Sequence, residues 1–181
     1  MSAQLKTKQK RAVLPQLANK NFLAFLCYMD ADYEPSAVHR LLADKLQQVE
    51  EGKCKRLIIT MPPRHGKSRM AAIEFPAWFL GKDPTRQVIM SSYGDQLSLK
   101  HSRECRDRCK SVPYTRTFPT SQPNPRLQAK NTWGFMQGGS FSATTVGGGM
   151  TGLGADLLII DDPHKNRQEA ESKLVRDRIW D

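Results

Sequence analysis

Leu57-Ile58-Ile59-Thr60-Met61-Pro62-Pro63-Arg64-His65-Gly66-Lys67-Ser68 is the stretch on which the fold turns. Leu57 to Met61 is short, apolar and β-branched, bounded by Lys55-Arg56 and Pro62-Pro63, and predicts a buried strand. A turn follows, then Gly66-Lys67-Ser68 at the head of a predicted helix over 67–80 that Pro76 bends or breaks and Gly81 ends. Strand, turn, Gly-Lys-Ser and helix together read as a phosphate-binding loop. Backbone N–H groups and the helix N-terminus would surround an anion, the lysine would reach β/γ oxygens, and the serine hydroxyl would take Mg²⁺. Gly66 stands where a side chain would collide with phosphate. Met61 occupies the first glycine position of the usual G-x-x-x-x-G-K-[ST] pattern, so the strand context carries the assignment.

The second half of such a site lies far downstream. Leu157-Leu158-Ile159-Ile160-Asp161-Asp162 is an apolar strand tipped by two carboxylates. That places them at the strand's C-terminal edge, where ligands bind in open α/β sheets. Asp161 would hold Mg²⁺ through water or through Ser68, and Asp162 would orient or deprotonate an attacking water. The plainer alternative is a pair of carboxylates capping the helix after Pro163. Arg64 is either a charge-stabilising group for the γ-phosphate or a surface arginine; the residues leave both open. The candidate nucleotide contacts are Pro63, Arg64, His65, Gly66, Lys67, Ser68 and Arg69. Ser68 and Asp161 are the candidate metal ligands, and Lys67, Asp162 and Arg64 the candidate catalytic groups. The cofactors expected are ATP and Mg²⁺.

Around these motifs, helices are predicted over Gln16 to Asp30, from Pro35-Ser36 to Gly52, over 95–110 and over 166–180. A second buried strand is predicted over 87–91, and an irregular loop from Val112 to Arg126, which holds Pro113, Pro119, Pro123 and Pro125. Thr132 to Gln137 and Ser140 to Val146 alternate like a hairpin with Gly138-Gly139 as a two-residue turn. Gly147 to Gly154 reads as a mobile nucleotide- or DNA-sensing segment or a simple turn. The expected class is α/β, a P-loop NTPase of the ASCE type with a largely parallel sheet flanked by helices. Residues 1–34 would form a basic arm and helix, and 35–181 a partial ATPase domain. Trp78, Trp133 and Trp180 are assigned to packing rather than base stacking.

The 181 residues carry 28 Lys+Arg against 18 Asp+Glu, a net +10, which favours a polyanionic partner. The charge gathers in an arm (Lys6, Lys8, Lys10, Arg11, Lys20) and a second cluster (Lys100, Arg103, Arg106, Arg108, Lys110, Arg116). No apolar run nears the roughly 20 residues that span a bilayer, and the N-terminus resembles no signal peptide, so a cytoplasmic protein without a membrane partner is expected. The four cysteines form no C-x-x-C pair and are expected as thiols. His101, Cys105 and Cys109 share one helical face without an evident fourth metal ligand.

Met61-Pro62-Pro63-Arg64-His65-Gly66-Lys67-Ser68 and Thr151-Gly152-Leu153-Gly154-Ala155-Asp156-Leu157-Leu158-Ile159-Ile160-Asp161-Asp162-Pro163 together resemble the large terminase subunit of tailed bacteriophages, from about Pro35 onward. The resemblance implies an ATPase that drives double-stranded DNA into a procapsid, working as a homo-oligomeric ring with a portal and a small terminase subunit in the bacterial cytoplasm. It assigns Lys67 and Ser68 to phosphate and magnesium, Asp161 to the metal and Asp162 to water activation. Many relatives have glutamate at the Asp162 position, which keeps Glu169 and Glu171 in play; His39 and Arg40 stand where an adenine-contacting glutamine is common. It also implies a further strand between 57–61 and 157–160 and a two-metal nuclease, both later in sequence. The expectation is therefore a motor domain incomplete at its C-terminal end, truncated or completed by another polypeptide, binding nucleotide weakly on its own and hydrolysing it slowly or not at all. A helicase-like nucleic-acid-dependent ATPase and a non-catalytic prophage remnant are the alternatives.

Overall fold

The computed structural model describes residues 14–148 and 154–180. Gln87–Ser92 forms β1, buried at every position after the first. Burial on both faces suits a strand with a parallel neighbour on each side. Its neighbours are Ser140–Thr145 (β4) and Leu157–Asp161 (β5), both parallel to it. Pro123–Gln128 (β2) and Thr132–Phe135 (β3) extend the sheet in the order β2-β3-β4-β1-β5, joined by antiparallel pairing. The sheet is thus mixed, not largely parallel, because the 132–145 hairpin supplies antiparallel contacts.

The helices are α1 (14–20), α2 (Phe22–Met29), α3 (Ala37–Glu50), a π-helix (Arg69–Glu74) running into α4 (Phe75–Lys82), α5 (Asp95–Lys110), α6 (Val112–Thr117), α7 (Arg167–Glu171) and α8 (Lys173–Trp180). Phe22, Phe25, Phe75, Trp78, Tyr114 and Phe118 join Val88, Met90, Trp133 and Phe141 in one core. Trp78 donates to the Ala18 carbonyl at 2.9 Å and Trp133 to Ser102 Oγ at 3.1 Å, so both indoles are satisfied packing residues. The side chain of Trp180, the basic residues Lys6 to Arg11, and Gly149 to Leu153 of the glycine-rich segment lie outside the described residues.

Several expectations need correction. Leu57 to Met61 is extended but pairs with no described strand. Its alternation persists, with Leu57, Ile59 and Met61 on the core and Ile58 at 93% exposure. Apolar periodicity dictates the extended shape, but a ladder also needs a strand alongside. The helix predicted over Gln16 to Asp30 divides at Asn21, whose side chain caps α2 by accepting from Ala24 N–H at 2.8 Å. Pro76 does not break its helix. It cannot donate to the carbonyl four residues back, and the preceding turn widens to the π form. Gly81 does not end it either: a Cβ there would lie 2.4 Å from the Phe118 ring, so glycine lets two core elements approach. The 112–126 loop contains α6, with a proline in its first turn, and β2, an edge strand that tolerates Pro123 and Pro125.

The hairpin turn runs through Met136-Gln137, with Gly138 at φ +98 donating to the Phe135 carbonyl at 3.1 Å. The last helix is two short ones that part at Ser172. The second basic cluster is split by α5 geometry. Lys100, Arg103 and Lys110 are exposed, whereas Arg106 donates to the Gln128 and Ala129 carbonyls and Arg108 lies 2.7 Å from buried Glu74. Cys105 and Cys109 are fully buried in the core, while His101 contacts a carboxylate, so the three do not form a ligand set.

Candidate nucleotide-binding site

The 63–68 loop owes its shape to three local features. Pro62 and Pro63 stiffen its entry. Arg64 and Gly66 turn it with positive φ values of 64 and 80; the first is strained for a side-chain-bearing residue and the second is natural for glycine. His65 Nδ1 donates back to the Pro63 carbonyl at 2.8 Å. Arg64, His65 and Gly66 direct no N–H into a well-formed backbone hydrogen bond among the described residues. Free amides ahead of a helix N-terminus make an anion cradle.

His39 fastens the loop to α3. Its Nδ1 accepts from Ser36 N–H at 3.3 Å, completing a capping box, and its Nε2 lies 3.0 Å from the His65 carbonyl. A carbonyl only accepts, so Nε2 carries the proton and Nδ1 does not. A Cβ on Gly66 would sit 3.3 Å from the same Nε2. The His39 ring stacks on Tyr33, with centroids 5.8 Å apart.

Two sequence-distant motifs meet at Lys67. Its Nζ lies 2.6 Å from Asp162 Oδ1 and 3.0 Å from Asp161 Oδ1, across 95 residues of chain in the first case. Burial opposes the lysine's charge, but the hydrogen bonds to Asp162 and Asp161 outweigh it and raise its pKa. Burial likewise opposes ionisation of Asp161; the nearby donors His101, Ser68 and Lys67 favour the charged form and win, bringing it down to about 2. Asp161 is 7% exposed at the end of β5, whereas Asp162 turns the chain at φ 48 and its side chain is half exposed. The buried carboxylate is held and the open one is reachable by solvent.

Of the candidate residues, Gly66, Lys67, Ser68, Asp161 and Asp162 converge. Pro63, Arg64 and His65 are exposed on the loop itself. The Arg69 side chain points elsewhere, with Nη2 2.6 Å from Asp30 Oδ2 and the guanidinium 5.0 Å over the Tyr33 ring. Both alternative carboxylates are engaged locally. Glu169 accepts from Lys165 N–H at 3.0 Å near the start of α7, and Glu171 pairs with Arg167 at 2.5 Å. Sequence reasoning did not foresee His101 beside Asp161 or His39 under the loop. The first was legible in principle, since a helix entered directly from the strand beside β5 must cross near its tip.

No cluster of three or more His, Cys, Asp or Glu among the described residues could hold a metal ion. A magnesium ion here would need ligands beyond the protein's carboxylates, which phosphate oxygens, water and the Ser68 hydroxyl supply chemically. Asp161 Oδ1 already holds a cation, the Lys67 ammonium at 3.0 Å, and Ser68 lies against the same carboxyl, so the residues present suit such an ion. Among the described residues no helix is long and apolar enough to cross a membrane.

No curated protein matches the chain. The model of the family described as "Terminase large subunit, T4likevirus-type, N-terminal" matches residues 58–181, more than half of the sequence and inclusive of both motifs. The chain therefore belongs to the N-terminal family of T4-like terminase large subunits.

Proposed function

We propose that this chain binds ATP with magnesium in the 63–68 loop and forms the ATP-hydrolysing portion of a DNA-packaging terminase, coupling hydrolysis to movement of double-stranded DNA. The observation that carries the reading is Lys67 bridging Asp161 and Asp162 at 3.0 and 2.6 Å. A lysine paired this way occupies the place of a cationic ligand, and an incoming triphosphate would draw it off the carboxylates. The loop amides and the helix N-terminus would receive the phosphates. Ser68 and Asp161 would hold the magnesium, which neutralises charge on the phosphate oxygens when bound. Asp162, half exposed and acceptor-only when ionised, would align the attacking water and take its proton. Arg64, on a strained exposed turn, would approach the outermost phosphate.

Exposed Lys100, Arg103 and Lys110 on α5 give a second, phosphate-seeking surface for the DNA backbone. The portal, small subunit and ring of identical copies complete this reading. ATP turnover with and without double-stranded DNA tests it. Stimulation by duplex supports a motor, and stimulation by single strands alone points to a helicase-like ATPase. An absence of both turnover and nucleotide binding refutes the proposal.

A further inference from the structure

His101 lies in the middle of α5 at 5% exposure, on a face otherwise made of Ser98, Ser102, Cys105 and Cys109. Its Nε2 is 3.3 Å from Asp161 Oδ2, the carboxylate oxygen that Lys67 does not touch. The two atoms are close but not aligned as a hydrogen bond, and neither ring nitrogen has another partner among the described residues. Asp161 Oδ2 is equally without an aligned partner. Unsatisfied polar groups buried in one place cost about 1–3 kcal/mol each, and an apolar side chain at 101 would remove only the histidine's share. One is a donor and the other an acceptor, and a small ring rotation would satisfy both.

We propose that His101 is a positioning residue for the magnesium site, donating from Nε2 to Asp161 Oδ2 and fixing the carboxylate so that Oδ1 faces the metal. The inference rests on the nucleotide-site reading above. The grip of Lys67 on Oδ1 is lost once phosphate engages the lysine, and His101 is then the contact that keeps Asp161 from rotating. The fold supplies the reach: β1 pairs Ser92 with Asp161, and α5 starts within three residues of that strand's end and packs back over it. A histidine hydrogen-bonded to a ligating carboxylate orients the ligand, and loss of such a partner typically costs 10- to 100-fold in metal affinity.

The test reads metal binding rather than turnover. Free Mn²⁺ is followed by electron paramagnetic resonance while the full chain is titrated in with a non-hydrolysable ATP analogue. Analogue affinity in EDTA serves as the reference. His101→Leu removes the donor and keeps bulk; His101→Gln offers an amide N–H at about the reach of Nε2, and His101→Asn offers one a methylene short. Analogue affinity in EDTA should stay within about 2-fold throughout. Mn²⁺ affinity should fall about 10-fold or more in the Leu variant and return to within about 3-fold of the parent in the Gln variant. Parental Mn²⁺ affinity in the Leu variant, alongside its loss in Asp161→Asn, overturns the role of His101 and leaves the site reading intact. A parent that binds no Mn²⁺ with nucleotide removes both. If the Leu variant does not fold, the amides decide: Gln must exceed Asn, and equal affinities overturn the inference.

Discussion

Replacing Asp161 by asparagine keeps the shape of the strand tip and removes one charge from between Lys67, Ser68 and His101. The carboxyl titrates at about 2 in the folded protein against an ordinary 3.8. At 1.36 kcal/mol per pH unit, that difference contributes about 2 kcal/mol to folding. The sign follows from the direction. A depressed carboxylate stabilises above its unfolded pKa, and the contribution disappears as pH falls through the folded value. Asp161→Asn should therefore be less stable by about 2 kcal/mol at pH 7, or roughly 5 °C in melting temperature for a chain of this size. The deficit should shrink to about half by pH 3 and nearly vanish near pH 2. Urea unfolding of both proteins in EDTA without nucleotide, from pH 7 to the lowest pH at which the parent folds, reads the effect. A variant as stable as the parent at pH 7, or a deficit that stays constant on acidification, would refute the ion-pair account of this carboxylate.

The split of the basic cluster makes a paired prediction. Arg108→Ala leaves Glu74 buried without its nearest cation and should cost about 3–5 kcal/mol in urea unfolding. Lys100→Ala with Arg103→Ala should leave stability within about 0.5 kcal/mol and lower the salt dependence of duplex binding by roughly two phosphate contacts. Gly81→Ala forces a methyl into the Phe118 ring and should destabilise by about 1–3 kcal/mol, read as a lower urea midpoint at unchanged slope. His39→Ala removes half a capping box and the tie to the His65 carbonyl. It should cost about 1–2 kcal/mol and speed tryptic cleavage after Arg64, with His39→Gln restoring part of both.

The meeting of Lys67 with Asp161 and Asp162 was readable in the sequence because each motif is a short contiguous pattern. Asp161-Asp162 ends the apolar run that becomes β5 and so sits at a strand tip, while Gly66-Lys67-Ser68 follows an apolar run and a turn at the head of a helix, from which Lys67 reaches both carboxylates. What escaped the reading depends on tertiary contact. Leu57 to Met61 has the composition of a strand, yet whether it pairs is decided by what lies beside it. Gly81 has the signature of a helix stop, but a phenylalanine 37 positions later determines its use. Pro123 and Pro125 argue against a strand until the segment is known to be at a sheet edge. His101 was grouped with Cys105 and Cys109 by helical spacing, whereas β5, 56 residues on, gives it its partner.

The most direct measurement is calorimetric titration of Mg·ATP into the full chain and into Lys67→Ala. The account predicts measurable binding by the parent and a loss of about 10-fold or more in the variant, the scale of a hydrogen bond between a charged lysine and phosphate. Equal affinity in the two proteins would contradict it.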